Sequence, residues 1–313
     1  MKILIPVDGS VYSDNAVAFV ASRTTLIGTE PQIVLLNVQA PLPARASRLV
    51  SRDALQDYYK DESEKAFKPA RKILKKAKMA AEEVAKIGAP AEVIAQVAEE
   101  MGADLLIMGS HGRSALKGLL FGSVTNAVLA LTKVPLLMLR DKGAPETDAL
   151  NVGIAVDGSK FGTAAVKYAL KHIELFGGEA AKVHLINTVS DYAGAVMPDM
   201  TGMALPALSE DEVVELQKSE FAEAIDPVLP LFTKAGVKPK EVCLVGNPGD
   251  EIAAYCKKRK LDLLVMGSHG YGRFKAAVMG STATRIASIA DVPLLITVSY
   301  THLRAHETGA YLV

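Results

Sequence analysis

Gly109, Gly112, Gly122 and Ser123 stand in a spacing that suits a phosphate: two residues separate the first glycines, and nine precede the Gly-Ser pair. The same spacing returns at Gly267, Gly270, Gly280 and Ser281. In each case a short apolar run comes first, residues 105–108 and 263–266, long enough for a strand buried on both faces. Glycines at its carboxyl end let the backbone take positive φ or approach a ligand closely. The Gly-Ser pair then opens a helical pattern, and a helix start offers free N–H groups and the positive end of a dipole. Strand, glycine loop and helix start together form a nucleotide cradle. The glycines of one copy alone could simply make turns; two copies at one spacing favour the cradle.

Asp8 and Asp157 each sit in Val-Asp-Gly-Ser at the end of a first strand. A carboxylate at that end of an open α/β sheet accepts ribose hydroxyls or helps to hold Mg²⁺. Asp and Ser also end strands and cap helices, and for Ser10 and Ser159 capping is as good a reading as ligand contact. Val38 and Thr188, each after an Asn, end the second strands, where backbone groups can line an adenine slot or simply close a strand. His111 and His269 fall inside the glycine loops. Neither has an acid–base partner at a telling spacing, so positioning or phosphate contact is expected rather than catalysis. Arg113 can meet phosphate, and Tyr271 replaces it in the second copy. Ser123 and Thr125 offer two hydroxyls; Ser281 and Thr282 offer two in a shifted arrangement, with Ala283 in place of Thr125.

The elements that must hold these residues repeat as well. Residues 3–10 (ILIPVDGS) match 152–159 (VGIAVDGS) at an offset of 149, and Asn37 matches Asn187 at 150. From Pro69 and Pro227 onward the offset is 158, so the second copy carries about eight extra residues, which fall in a Gly/Pro/Met-rich loop at 190–209. The first copy reads as strand 2–8, helix 11–27, strand 32–38, a loop to about 52, then a long charged helix to about 78. Strand 82–87, helix 91–101, strand 104–108, helix 122–132 and strand 135–140 follow. Alternating strands and helices imply a parallel sheet with right-handed crossovers and helices on both faces. Pro69 and Pro227 lie inside the long helical pattern, where each should start a new segment or kink the helix.

The chain has 313 residues, enough for two domains, expected at 1–141 and 150–298 with a linker between them. Lys plus Arg equals Asp plus Glu at 35 each, so there is no electrostatic footprint for nucleic acid or an acidic membrane. No apolar run approaches the roughly 20 residues of a spanning helix, and because the sequence opens on a strand pattern a signal peptide is not expected. Cys243 and Cys256 lack a metal or redox spacing and read as packing residues, consistent with a cytoplasmic protein. Residues 299–313 have no counterpart in the first copy and read as a disordered or non-native tail; His302 and His306, four apart, lack a third ligand nearby. Walker A, Gly-x-Gly-x-x-Gly after a first strand, HExxH and Gly-x-Ser-x-Gly are all absent.

The glycine motif, Val-Asp-Gly-Ser at the first strand and Val-Pro-Leu-Leu at the last together resemble the universal stress protein family, over about 1–140 and 151–298. The resemblance implies two tandem doubly wound α/β sheets of the adenine nucleotide alpha hydrolase-like type, with five parallel strands each in the order 3-2-1-4-5. It implies ATP as ligand, with or without Mg²⁺. Adenine and ribose would then meet Pro6, Asp8 and Val38, and phosphates Gly109, Gly112, Arg113, Gly122, Ser123, Val124 and Thr125. The matching positions in the second copy are Asp157, Thr188, Gly267, Gly270, Gly280, Ser281 and Thr282. Ala155 for Pro6, Thr188 for Val38, Tyr271 for Arg113 and Ala283 for Thr125 make the second site the weaker of the two. The family tends to pair through its last strands, which here would join the copies into an intramolecular pseudo-dimer and leave further homo-oligomers open. The leading functional expectation is a nucleotide-dependent regulatory or binding protein in the stress response. A slow ATP hydrolase or phosphoryl- or nucleotidyl-transfer enzyme, and a nucleotide-free interaction scaffold, are the alternatives.

Overall fold

The structure, a computed structural model, describes residues 1–27, 30–43, 50–112, 121–140, 145, 147–192, 208–268 and 279–298. The tail at 299–313, most of the extra loop, Arg113, His269, Gly270 and Tyr271 lie outside these residues.

The first copy contributes strands β1 (Lys2–Pro6), β2 (Gln32–Gln39), β3 (Glu82–Ile87), β4 (Leu105–Gly109) and β5 (Leu136–Leu139). The second contributes β6 (Asn151–Ala155), β7 (Lys182–Val189), β8 (Lys240–Val245), β9 (Leu263–Gly267) and β10 (Leu294–Thr297). Their order is β3-β2-β1-β4-β5-β10-β9-β6-β7-β8: the two five-stranded sheets join through their last strands into one of ten. Within each copy all pairs are parallel and the order is 3-2-1-4-5. At the centre β5 and β10 run antiparallel, with Met138 opposite Leu294, Leu137 opposite Leu295 and Leu136 opposite Ile296. This pairing covers two sheet edges that would otherwise present unpaired backbone groups.

The inner strands are apolar because both their faces are covered, whereas the edge strands β3 and β8 are mostly exposed. Ile3, Ile5, Leu105, Leu137, Val152 and Leu263 belong to a cluster on one side of the sheet, and Leu4, Leu106, Leu136, Leu264 and Leu294 to a cluster on the other. Each cluster draws residues from both copies and runs across the junction between them.

Helices α1 (Val11–Ala21), α2 (Arg52–Lys76), α3 (Pro90–Glu100) and α4 (Ser123–Leu131) serve the first copy. Helices α5 (Lys160–Lys171), α6 (Glu210–Ile225), α7 (Leu229–Lys234), α8 (Pro248–Arg259) and α9 (Ser281–Ile289) serve the second. The two prolines act differently. Pro227 falls in the break between α6 and α7, whereas α2 continues through Pro69.

Helix α1 ends at Ala21, short of the expected residue 27, and only a one-turn helix, Thr24–Ile27, follows. The reason is Arg23. It is wholly buried, and its guanidinium donates to the carbonyls of Pro145, Thr147 and Asp148 at 3.3, 2.6 and 3.0 Å. It also faces the Phe19 ring at 5.0 Å. The stretch between the copies is thereby fastened to the first copy. Cys256 is buried in α8, where burial pushes its thiol up to about 12, but Cys243 is exposed on the outer strand β8 and is not a packing residue.

Candidate functional site

In the first copy the chain goes from β1 outward to β2 and β3, then returns to β4 on the other side of β1. The strand order reverses there, which leaves a crevice at the carboxyl ends of β1 and β4. A cavity of about 470 Å³ occupies it. Pro6, Asp8, Val38, Gly109, Gly112, Gly122, Ser123, Val124 and Thr125 all line this cavity, so nine of the ten expected first-copy residues share one space and Arg113 is outside the described residues.

Asp8 follows β1 directly. Its Oδ1 accepts the N–H of Ser10 at 3.0 Å, which closes a tight turn through Gly9 at φ 77°. Ser10 caps α1 by accepting from the Ser13 N–H at 3.3 Å, so its hydroxyl serves the helix. Asp157, Gly158 and Ser159 repeat the arrangement: Ser159 N donates to Asp157 Oδ1 at 3.0 Å, and Ser159 Oγ accepts from Gly162 N at 3.2 Å. Asp14, in the first turn of α1, has its carboxyl pushed up by burial and by the neighbouring Asp8 charge. Thr163 takes its place in the second copy.

Gly109, Gly112 and Gly267 are needed for close approach rather than for positive φ. A Cβ on Gly109 would lie 2.6 Å from Tyr12 Cβ and 2.7 Å from Tyr12 O, so β4 can end against α1 only without a side chain there. Gly267 meets Phe161 in the same way, at 2.7 Å from its Cβ. On Gly112 a Cβ would stand 2.8 Å from Asp8 Oδ2.

Gly122 is the N-cap of α4 and provides no side-chain cap. Its own N–H donates to Ser110 O at 2.7 Å. That leaves the N–H groups of Ser123, Val124 and Thr125 without intrahelical acceptors, at the positive end of the helix. Gly280 repeats this at α9, with its N–H donating to Ser268 O at 3.0 Å and Ser281, Thr282 and Ala283 following. The Thr125 hydroxyl donates to Gly109 O at 3.1 Å and the residue is 3% exposed, so it ties α4 to β4 as well as bordering the cavity. His111 also lines the cavity, with Nδ1 3.1 Å from Ser110 Oγ and its ring 5.5 Å from that of Tyr12.

Asn37, Pro90, Ile94 and Met108 line the cavity too and were not among the expected site residues. Asn37 is the informative one. Its Nδ2 donates to Val7 O at 2.7 Å, and its Oδ1 accepts from Ser63 Oγ at 3.0 Å and Gln39 Nε2 at 2.6 Å. This fixes the end of β2 against the turn that carries Asp8. Its presence at equivalent positions in both copies was the available signal. Asn187 keeps the first bond, to Val156 O at 2.9 Å, but among the described residues its buried Oδ1 has no hydrogen-bond partner. Phe221 and Val189 stand where the first copy has Ser63 and Gln39. Thr188 Oγ1 is likewise buried without a hydrogen bond. The second copy therefore keeps the frame of the first with a different polar lining.

Among the described residues no group of three or more His, Cys, Asp or Glu side chains is arranged to hold a metal ion, and no helix is long and apolar enough to cross a membrane.

The sequence profile of the universal stress protein family matches residues 1–140 and 150–297. A universal stress protein of Methanocaldococcus jannaschii is 32% identical over 144 residues, which cover 46% of this chain and 78% of that protein. One of Mycobacterium bovis is 23% identical over 301 residues, covering 94% of this chain and 96% of its own length. Among solved structures, a universal stress protein from Archaeoglobus fulgidus has a TM-score of 0.66 at 22% identity, covering 95% of this chain and 98% of that one; this likeness bears on the fold.

Proposed function

The chain belongs to the universal stress protein family as a tandem member, and from that premise we propose that it binds an adenine nucleotide and acts in the stress response by nucleotide-dependent choice of partner or conformation. The observation that carries this reading is the convergence of three different groups on one cavity: the Asp8 carboxylate, the close-packed glycines and the uncapped start of α4. Each suits a different part of one ligand. Asp8 accepts from ribose hydroxyls. The N–H groups of Ser123, Val124 and Thr125 donate to phosphate oxygens. Pro6, Val38, Ile94 and Met108 form an apolar slot for the base. ATP is the ligand proposed, with or without Mg²⁺, in a cytoplasmic protein whose two units run over 1–141 and 150–298. The second unit is proposed to bind with its own affinity, through Asp157, Thr188, Gly267, Gly270, Gly280, Ser281 and Thr282. A bound nucleotide shifts the equilibrium toward the state it fits better, which is how occupancy would be read by a partner.

The test is calorimetric titration of the whole chain with ATP, with and without Mg²⁺. Binding that weakens at least tenfold in Asp8→Ala and is lost from the first unit in Gly122→Val supports the reading. Absence of binding at millimolar nucleotide overturns it.

A further inference from the structure

We propose that Arg140 positions the first cradle from across the junction between the two copies, and so ties the occupancies of the two cradles together. The inference rests on the nucleotide reading above. Arg140 directly follows β5, the central strand that pairs with β10. Its guanidinium lies 5.4 Å from the centroid of the Phe121 ring. Phe121 is 2% exposed and immediately precedes Gly122, the N-cap from which the phosphate-facing N–H groups start. The other side of the same guanidinium belongs to the second copy. Nη2 donates to Ala287 O at 3.1 Å, and Nε stands 3.6 Å from Asp291 Oδ1. Ala287 lies in the last turn of α9, whose first residue is Ser281 of the second cradle. A cation suits that end of a helix, where carbonyls lack intrahelical partners.

One side chain thus contacts the residue that leads into the first phosphate helix and the rear of the second. Helix α9 is short and continuous, so a change at Ser281 reaches Ala287 through a rigid element. A change at Gly122 reaches Arg140 through the Phe121 ring, over which the guanidinium stands 5.4 Å from the centroid. The bridge is not duplicated. Val298 and Met279 occupy the positions equivalent to Arg140 and Phe121, so the second copy offers neither a cation nor a ring in return. Binding at either cradle then alters the other's affinity by the same factor, as linkage requires.

The experiment uses the whole chain with Gly280→Val, which confines ATP to the first cradle; Asp157→Ala replaces it if that variant does not fold. Hydrogen exchange over residues 281–291 is followed with and without ATP. With Arg140 in place, ATP at the first cradle is expected to change exchange there at least about fivefold, within the usual range of site-to-site coupling. Arg140→Met is expected to abolish that change while ATP still binds, and Arg140→Lys, which keeps the charge but not the flat face, to restore it only in part. An equal response in Arg140→Met, or ATP binding without any response at 281–291 in the chain that keeps Arg140, overturns the inference alone. Failure of the wild-type chain to bind ATP overturns the nucleotide reading and this inference with it.

Discussion

Gly112 and Asp8 share one space: a Cβ on Gly112 would lie 2.8 Å from Asp8 Oδ2, well inside van der Waals contact. The glycine of the loop is therefore what leaves the carboxylate its position. Gly112→Ala is expected to displace Asp8 and weaken ATP binding about tenfold, or about 1.4 kcal/mol, with little loss of stability because the carboxylate can move toward solvent. Paired titration and urea denaturation check it; loss of stability without loss of affinity would contradict it.

Gly109→Ala should behave in the opposite sense. Its new Cβ meets Tyr12 O and Tyr12 C at 2.7 and 2.8 Å, and backbone cannot step aside as a side chain can. A destabilisation of about 1–3 kcal/mol is expected, as for other overpacked positions, and Gly267→Ala against Phe161 should match it. The urea midpoint reads both.

Asn37→Ala and Asn187→Ala separate the two copies. The first removes three hydrogen bonds and leaves Val7 O without its donor. The second removes one bond and an oxygen that had no partner among the described residues. The loss of stability should be larger for Asn37, about 1–3 kcal/mol, since an unpaired buried polar group carries most of the cost. Equal losses would mean that the partners of Asn37 Oδ1 contribute nothing.

Arg23→Met should be among the most damaging single changes. It removes the guanidinium that donates to the carbonyls of Pro145, Thr147 and Asp148 and stands 4.0 Å from the Asp148 carboxylate. A loss of about 1–3 kcal/mol is expected for each carbonyl left buried and unsatisfied. Limited proteolysis between residues 141 and 149 should speed up in parallel.

Stability should fall in mild acid. Burial, then nearby Lys240 and Arg259, push the His184 imidazole down; burial and Lys171 do the same to His172. Both groups bind fewer protons folded than unfolded. Their stabilising effect is complete above the unfolded value of about 6.5 and is lost as the pH drops below it. His184 Nδ1 lies 2.7 Å from Tyr255 OH, where the first copy has Val34 and Val97. The double variant His184→Val, Tyr255→Val should flatten the dependence of Tm on pH between about 5 and 7. An unchanged slope would show that this pair does not carry it.

Much of the architecture was legible because the signals are local. A strand such as Leu105–Gly109 is apolar throughout because both faces are covered, and Gly122-Ser123 marks a helix start without reference to anything distant. Duplication strengthened each signal, since Asp8 with Asp157 and Gly109 with Gly267 had to be explained together. What escaped depends on residues far apart in the chain. Nothing in the helical pattern expected over 11–27 singles out Arg23, whose carbonyl partners lie more than 120 positions away. Cys243 reads as a packing residue because it lacks a metal or redox spacing, yet it is exposed on the outermost strand. Thr125 lines the cavity, and the bond from its hydroxyl to Gly109 O is a tertiary contact that its position in the motif does not announce. Whether a polar atom serves the ligand or the frame is decided by its tertiary neighbours.

The antiparallel seam between β5 and β10 has a consequence for mass action. Were the two copies separate chains, their association would weaken on dilution, and a fall in abundance would expose both central strands. Because they are one chain, the seam forms at a fixed effective concentration, whatever the amount of protein present. The assembled form is then available at the first molecule made, and its supply can track demand without passing through a threshold.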